Sequence, residues 1–143
     1  MEQDTYSIWI GDLAELRGHV PRQATARSPH APLFAGDAHP RQNFHQPKRS
    51  DWDEFCRVVG LHDIFFAPGD GLLAERPGNV RLTRDHARAV HEALVRFVDA
   101  ERDTHPCFAS GRPGDCHLAR LMWLDWWIHW ALKRFDEPGL HVR

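Results

Sequence analysis

Cysteine, lysine, methionine and tyrosine are all scarce in this chain of 143 residues, which has three Cys, two Lys, two Met and one Tyr. Three cysteines are an odd number and too few for a disulfide framework, so they favour a reducing, cytoplasmic setting. Long hydrophobic runs are missing as well. The most apolar stretch, 118–135, is broken by Arg120, Asp125, His129, Lys133 and Arg134. It falls short of the about 20 consecutive apolar residues that a membrane span needs, and no membrane partner is expected. The opening MEQDTYSIWIGDL carries acids and lacks a basic region followed by an apolar core, so it does not read as a secretory signal. The patterns GxxxxGK[ST], GxGxxG, HExxH and GxSxG do not occur. A phosphate-binding loop, a dinucleotide fold, a zinc-protease helix and a nucleophile elbow therefore have no support. There is no internal repeat.

The shortage of lysine has a counterpart in sixteen arginines. Arginine binds phosphate and carboxylate bidentately. A GC-rich genome explains the excess more simply, because the arginines lie all along the chain. Apolar residues make up 42%, enough for one globular domain with its own core. A chain of this size buries roughly 68–70% of its unfolded surface and needs no covalent staple. The net charge of −2 conceals an asymmetry. Residues 17–49 hold Arg17, Arg22, Arg27, Arg41, Lys48 and Arg49 against the single acid Asp37, a local +5 that leaves −7 on the remainder.

Local patterns divide the chain at Ser50. Before it, Thr5–Ile10 has the β-branched and aromatic content of a short strand, and Asp12–Arg17 suits a helical turn. The stretch 18–49 has no periodicity. Its five prolines (Pro21, Pro29, Pro32, Pro40, Pro47) forbid a long helix and disfavour a central strand. It reads as an irregular arm anchored by Leu33, Phe34 and Phe44. After Ser50, an N-cap followed by Asp51 and Asp53 starts a helix over 51–60, with Trp52, Phe55, Cys56 and Val59 on one face and Gly60 closing it. Pro68–Gly71 and Pro77–Asn79 read as turns. Thr83 caps a helix over 84–103, with Leu82 and Ala87 as a hydrophobic staple and Ala87, Val90, Leu94, Phe97 and Val98 facing inward. The last helix, 116–136, has Leu121, Leu124, Ile128, Ala131 and Phe135 on one ridge. Trp123, Trp126, Trp127 and Trp130 widen it until only Asp125, His129 and Lys133 or Asp136 form a polar stripe. A helix apolar on most sides is central in its fold. Pro138-Gly139 stops it.

The expected fold is therefore mainly α: a small helical bundle of three or more helices (residues 50–143) wrapped by an N-terminal segment and arm (1–49), with one short N-terminal strand.

Four constellations carry possible chemistry. His105, Cys107, Cys116 and His117 could together bind zinc, although H-x-C-x8-C-H matches no standard zinc spacing, and two unconnected cysteines or a Cys107–Cys116 disulfide remain open. Asp125 and His129 stand at i, i+4, the spacing of a carboxylate-oriented general base and equally of an ordinary helix-stabilising pair. The Trp cluster is either core or recognition surface; Trp127, about 100° round the helix from Trp126, is the candidate for exposure. The basic arm, through Arg22, Arg27, Arg41, Lys48 and Arg49, suits self-docking on the acidic domain, a partner's acidic surface or nucleic-acid phosphates. No catalytic set is complete. The sequence reading is of a small intracellular protein, bacterial or phage in type, that binds a protein partner as regulator, adaptor or inhibitor through the arm and Trp127. A nucleic-acid-binding protein and a metal-dependent hydrolase or nuclease are the alternatives. No cofactor is expected unless zinc binds.

Overall fold

The computed structural model describes residues 4–18, 26–28, 30–31, 41–74, 78–101 and 117–143. It corrects the expectation of a mainly α bundle with one short strand: four strands, β1 (Ile8–Asp12), β2 (Phe44–His45), β3 (Gly78–Arg81) and β4 (Pro138–Val142), form one antiparallel sheet in the order β2-β1-β4-β3. Among the described residues the helices are α1 (Leu13–Gly18), α2 (Arg49–Val59), α3 (His62–Phe66), α4 (Arg84–Glu101) and α5 (His117–Arg134).

The two central strands come from opposite ends of the described chain, so residues before and after Ser50 share one sheet. β1 pairs with β4 from Ile8↔Val142 to Asp12↔Pro138. Side chains alternate across the pleat. Ile8, Ile10, Leu140 and Val142 therefore face the main core with α5, while Trp9 points to the other side with Leu16 and Phe44. Trp9 stacks on Phe44 at 4.6 Å, and His141, beside Trp9, approaches Asn79 Oδ1 through Nδ1 at 2.6 Å.

β4 overturns the reading of one helix stop and one turn. Pro138-Gly139 begins a strand instead of merely stopping a helix, and Gly78 and Asn79 belong to the strand beside it. Proline is tolerated because it is the strand's first residue, and its carbonyl accepts from the Leu82 N–H at 2.8 Å. Glycine follows because a Cβ at position 139 would stand 2.5 Å from Leu13 Cδ1, where α1 presses on the sheet.

The described part of the arm folds onto its own domain. Residues 26–28 run beside 41–43, joined by Asn43 N–H to the Ala26 carbonyl (3.1 Å) and Ser28 N–H to the Arg41 carbonyl (3.0 Å). Asn43 then donates through Nδ2 to the Ile10 carbonyl at 2.7 Å, and Trp123 Nε1 on α5 donates to the Gln42 carbonyl at 2.9 Å. Phe44 is buried as expected of an anchor; Leu33 and Phe34 lie outside the described residues.

Helix signals are realised with shifts of a residue or two. Lys48, not Ser50, occupies the N-cap of α2 and makes no side-chain cap bond. Gly60 closes the helix in the left-handed region (φ 80°), its N–H donating to the Cys56 carbonyl. At α4, Thr83 Oγ1 accepts from the His86 N–H (3.3 Å), and the Thr83 N–H donates back to His86 Nδ1 (3.0 Å). This is a reciprocal cap in which histidine takes the place usually held by glutamate. α5 is central, with Leu121, Trp123, Leu124, Trp127, Ile128 and Ala131 all buried. It runs antiparallel to α4: Phe97 lies against His117, His91 against Asp125, and Ala87 shares a cleft with Leu132.

Candidate functional site

The antiparallel packing of α4 and α5 brings one polar cluster together on an otherwise apolar seam. On α5, Asp125 and His129 stand one turn apart. The Nδ1–H of His129 donates to the Asp125 backbone carbonyl at 2.7 Å and lies 3.4 Å from the Asp125 carboxylate oxygen Oδ1. From α4, His91 Nδ1 reaches the same Oδ1 at 3.2 Å. One carboxylate therefore sits between two imidazoles whose ring centres are 6.1 Å apart and whose planes cross at 80°. Asp125 is 21% exposed, whereas His91 and His129 are 57% and 44% exposed, so the carboxylate is the inner member and both rings face solvent.

Around this cluster lies a cleft of about 540 Å³ lined by His91, Asp125, Trp126, His129, Trp130, Lys133 and Arg134. A second cleft, which shares His91, His129 and Lys133 with the first, lies over Arg84, Arg88 and Glu92 of α4. Helical spacing explains the grouping: 126 and 130, like 125, 129 and 133, are i, i+4 neighbours and stack along one side of α5. Trp130 is fixed edge-on between Trp127 (4.8 Å) and Phe135 (5.3 Å), and the Arg134 guanidinium lies 5.4 Å from its ring centre. Lys133 and Arg134 also sit in the last turn of α5, where the helix dipole favours cations.

Of the residues singled out from sequence, Asp125 and His129 are the pair that opens on this cleft. Trp127 is fully buried, so it is core and presents no contact surface; Trp126 and Trp130, half-buried, supply the aromatic wall instead. Arg27, Arg41 and Lys48 are exposed, Arg41 at φ 64°, and Arg49 is half-buried with its guanidinium 5.5 Å from the Tyr6 ring centre. His117 begins α5 with its ring beside Phe55 and Phe97. Arg22, His105, Cys107 and Cys116 lie outside the described residues. Among the described residues, no group of three or more His, Cys, Asp or Glu side chains is arranged to hold a metal ion. Nor is any described helix long and apolar enough to cross a membrane.

Sequence reasoning missed His91, Lys133 and Arg134 as site residues. The cap and period that placed α4 leave His91 at the edge of its apolar stripe, one turn from Ala87, but nothing in a single sequence ties position 91 to position 125.

A second set of polar groups is sealed inside. Burial and the neighbouring Arg120 guanidinium hold the His45 imidazole at about 3, far below its ordinary value. Burial, then Arg143, lowers His141. Cys56 packs in the core, where burial and then Asp53 push its thiol well above the ordinary range. In each case the shift favours the neutral form, and the groups are shut off from solvent.

No protein-family model, no curated protein and no solved structure matches this chain.

Proposed function

We propose that this protein binds single-stranded nucleic acid through the open face of α4 and α5. One observation supports the reading: half-exposed Trp126 and Trp130 form a wall within a cleft edged by Lys133 and Arg134, and the adjoining cleft adds Arg84 and Arg88. Bases stack on aromatic side chains irrespective of sequence, at about 1–3 kcal/mol per base, and cations follow the phosphates. The four cations outnumber the acids of the same lining, Glu92 and Asp125. With a whole-chain charge of −2, long-range attraction is weak and affinity depends on this local set.

Regulation of a protein partner, the competing reading, loses its aromatic anchor with the burial of Trp127. It retains the exposed Arg27, Arg41 and Lys48.

The test is an anisotropy titration of a labelled single-stranded oligonucleotide at several salt concentrations. Four phosphate contacts give a slope of log affinity against log salt of about −3, or roughly 50-fold weaker binding at 200 mM than at 50 mM salt. Each of Arg84→Ala, Arg88→Ala, Lys133→Ala and Arg134→Ala lowers that slope by about 0.7. Trp126→Ala weakens binding at every salt concentration. Binding that ignores both salt and these substitutions refutes the proposal, as does a protein partner captured on this face with no nucleic acid retained.

A further inference from the structure

We infer that the α4/α5 cleft is also a reaction centre, in which His91 and His129 act as acid and base on a phosphodiester bond of RNA. The inference rests on the nucleic-acid reading of the same cleft.

The two imidazoles come from different helices and converge on one carboxylate oxygen, at 3.2 and 3.4 Å. Stability gives little reason for this, because ion pairs this exposed contribute only about 0–1 kcal/mol. The chemical consequence is larger. Each ring is held through Nδ1, His129 by the Asp125 carbonyl and His91 by the Asp125 carboxylate. In each ring the other nitrogen, Nε2, is left as the proton-exchanging atom. Two such rings 6.1 Å apart, both open to one cleft, can stand on either side of a phosphate.

The substrate class follows from what surrounds them. The described residues lining the cleft include no serine, threonine, tyrosine or cysteine. With no hydroxyl or thiol of its own in this lining, and with both imidazoles assigned to proton transfer, the cleft suits a substrate that carries its nucleophile. RNA brings its own, the 2′-hydroxyl adjacent to each phosphodiester. Lys133 and Arg134 are placed to hold the charge that develops on the phosphoryl oxygens, and Trp126 or Trp130 to seat a flanking base.

The step balances without any further reactant. One imidazole, neutral at Nε2, takes the proton of the 2′-hydroxyl as the O2′–P bond forms. The other, an imidazolium, gives its Nε2 proton to O5′ as the P–O5′ bond breaks. The products are a 2′,3′-cyclic phosphate and a 5′-hydroxyl, and exchange with water restores both rings. Asp125 acts through the two histidines and is a positioning residue.

The experiment uses the full chain, a single-stranded RNA and its DNA counterpart, in buffer containing EDTA, with products read by mass. The RNA is expected to be cut to a cyclic phosphate and the DNA to be bound but left intact. The rate should follow a bell-shaped pH profile. His91→Gln and His129→Gln keep a hydrogen-bond donor beside Asp125 but transfer no proton. Each should cut at least 100-fold more slowly, with the double variant little worse than either single one. All three should still melt normally and bind the DNA, which separates lost chemistry from lost folding. Asp125→Asn should slow the reaction and displace at least one limb of the pH profile, which a purely structural role would not do. Intact RNA across about pH 5 to 8, equal cutting of DNA, cutting that survives both glutamine variants, or cutting abolished by EDTA would each overturn the inference. Binding without cutting sinks the chemistry alone; neither binding nor cutting sinks the nucleic-acid reading with it.

Discussion

Two pairs of histidines divide this molecule by use. His45 and His141 sit in the sheet layer, 6% and 4% exposed, their imidazoles lowered by burial and neighbouring arginines. His91 and His129 sit on the α4/α5 face, open to solvent around Asp125. The same side chain serves in one place as a polar spacer, packed between Trp52 and Trp123 in the case of His45, and in the other as a group that water can reach. Titration near neutrality, the property for which histidine is usually selected, is suppressed in the first pair by what encloses it.

The contrast can be broken most forcefully with acid. His45 has a folded-state value near 3 against an ordinary 6.5. Below about pH 6.5 the unfolded chain takes up a proton that the folded chain refuses, so its stabilising effect is intact above that pH and is lost as pH falls toward 3. The slope approaches about 1.4 kcal/mol per pH unit, or about 3 kcal/mol by pH 4.5. His86 and His141, both lowered, add in the same direction. Chemical denaturation of His45→Phe should show a distinctly shallower acid slope than the parent; an unchanged slope would mean that the sealed layer does not control acid stability.

The next effect tests how tightly that layer is closed. Gly139→Ala places a methyl group against Leu13 and should cost about 1–3 kcal/mol. Leu13→Ala in the same chain should recover part of the loss, because the two sites share the space and do not add. Thermal melts of the two single variants and the double variant measure the coupling.

Thr83→Ala, which removes the hydroxyl half of the reciprocal cap with His86, should cost about 1 kcal/mol. The smallest effect is expected on the open face: His91→Gln should alter stability by no more than about 0.5 kcal/mol. A melting point that collapses on this substitution would place His91 among the structural histidines and erase the contrast.

Legibility in the sequence followed the strength of local signals. α4 carried a cap, a staple and an uninterrupted apolar stripe, and it appears over nearly the expected span. The sheet carried almost none. β4 opens with Pro-Gly and contains a buried histidine, and its identity as a strand depends on β1 and β3 lying on either side. For α5 the length was legible but not the orientation. On a helix that is apolar nearly all round, angular position alone does not say which Trp faces the sheet, so Trp127 was expected outside and Trp126 and Trp130 supply the exposed surface. Within the site, Asp125–His129 could be read because both members lie on one helix. His91, 34 residues upstream of its carboxylate, enters only through the packing of two helices.

The pairing of β1 with β4 also bears on how the molecule assembles. Ile8 and Val142 are neighbours in the sheet although more than 130 residues separate them along the chain. Closing so long a loop costs entropy before any contact repays it, and such non-local pairing slows folding. On the ribosome, β1 emerges ahead of the other described elements and waits with one edge unmatched while the described helices are made. A chain cut before Pro138 would leave β1 and β3 with no strand between them. The strand made after the other three therefore completes the middle of the sheet, and not its rim.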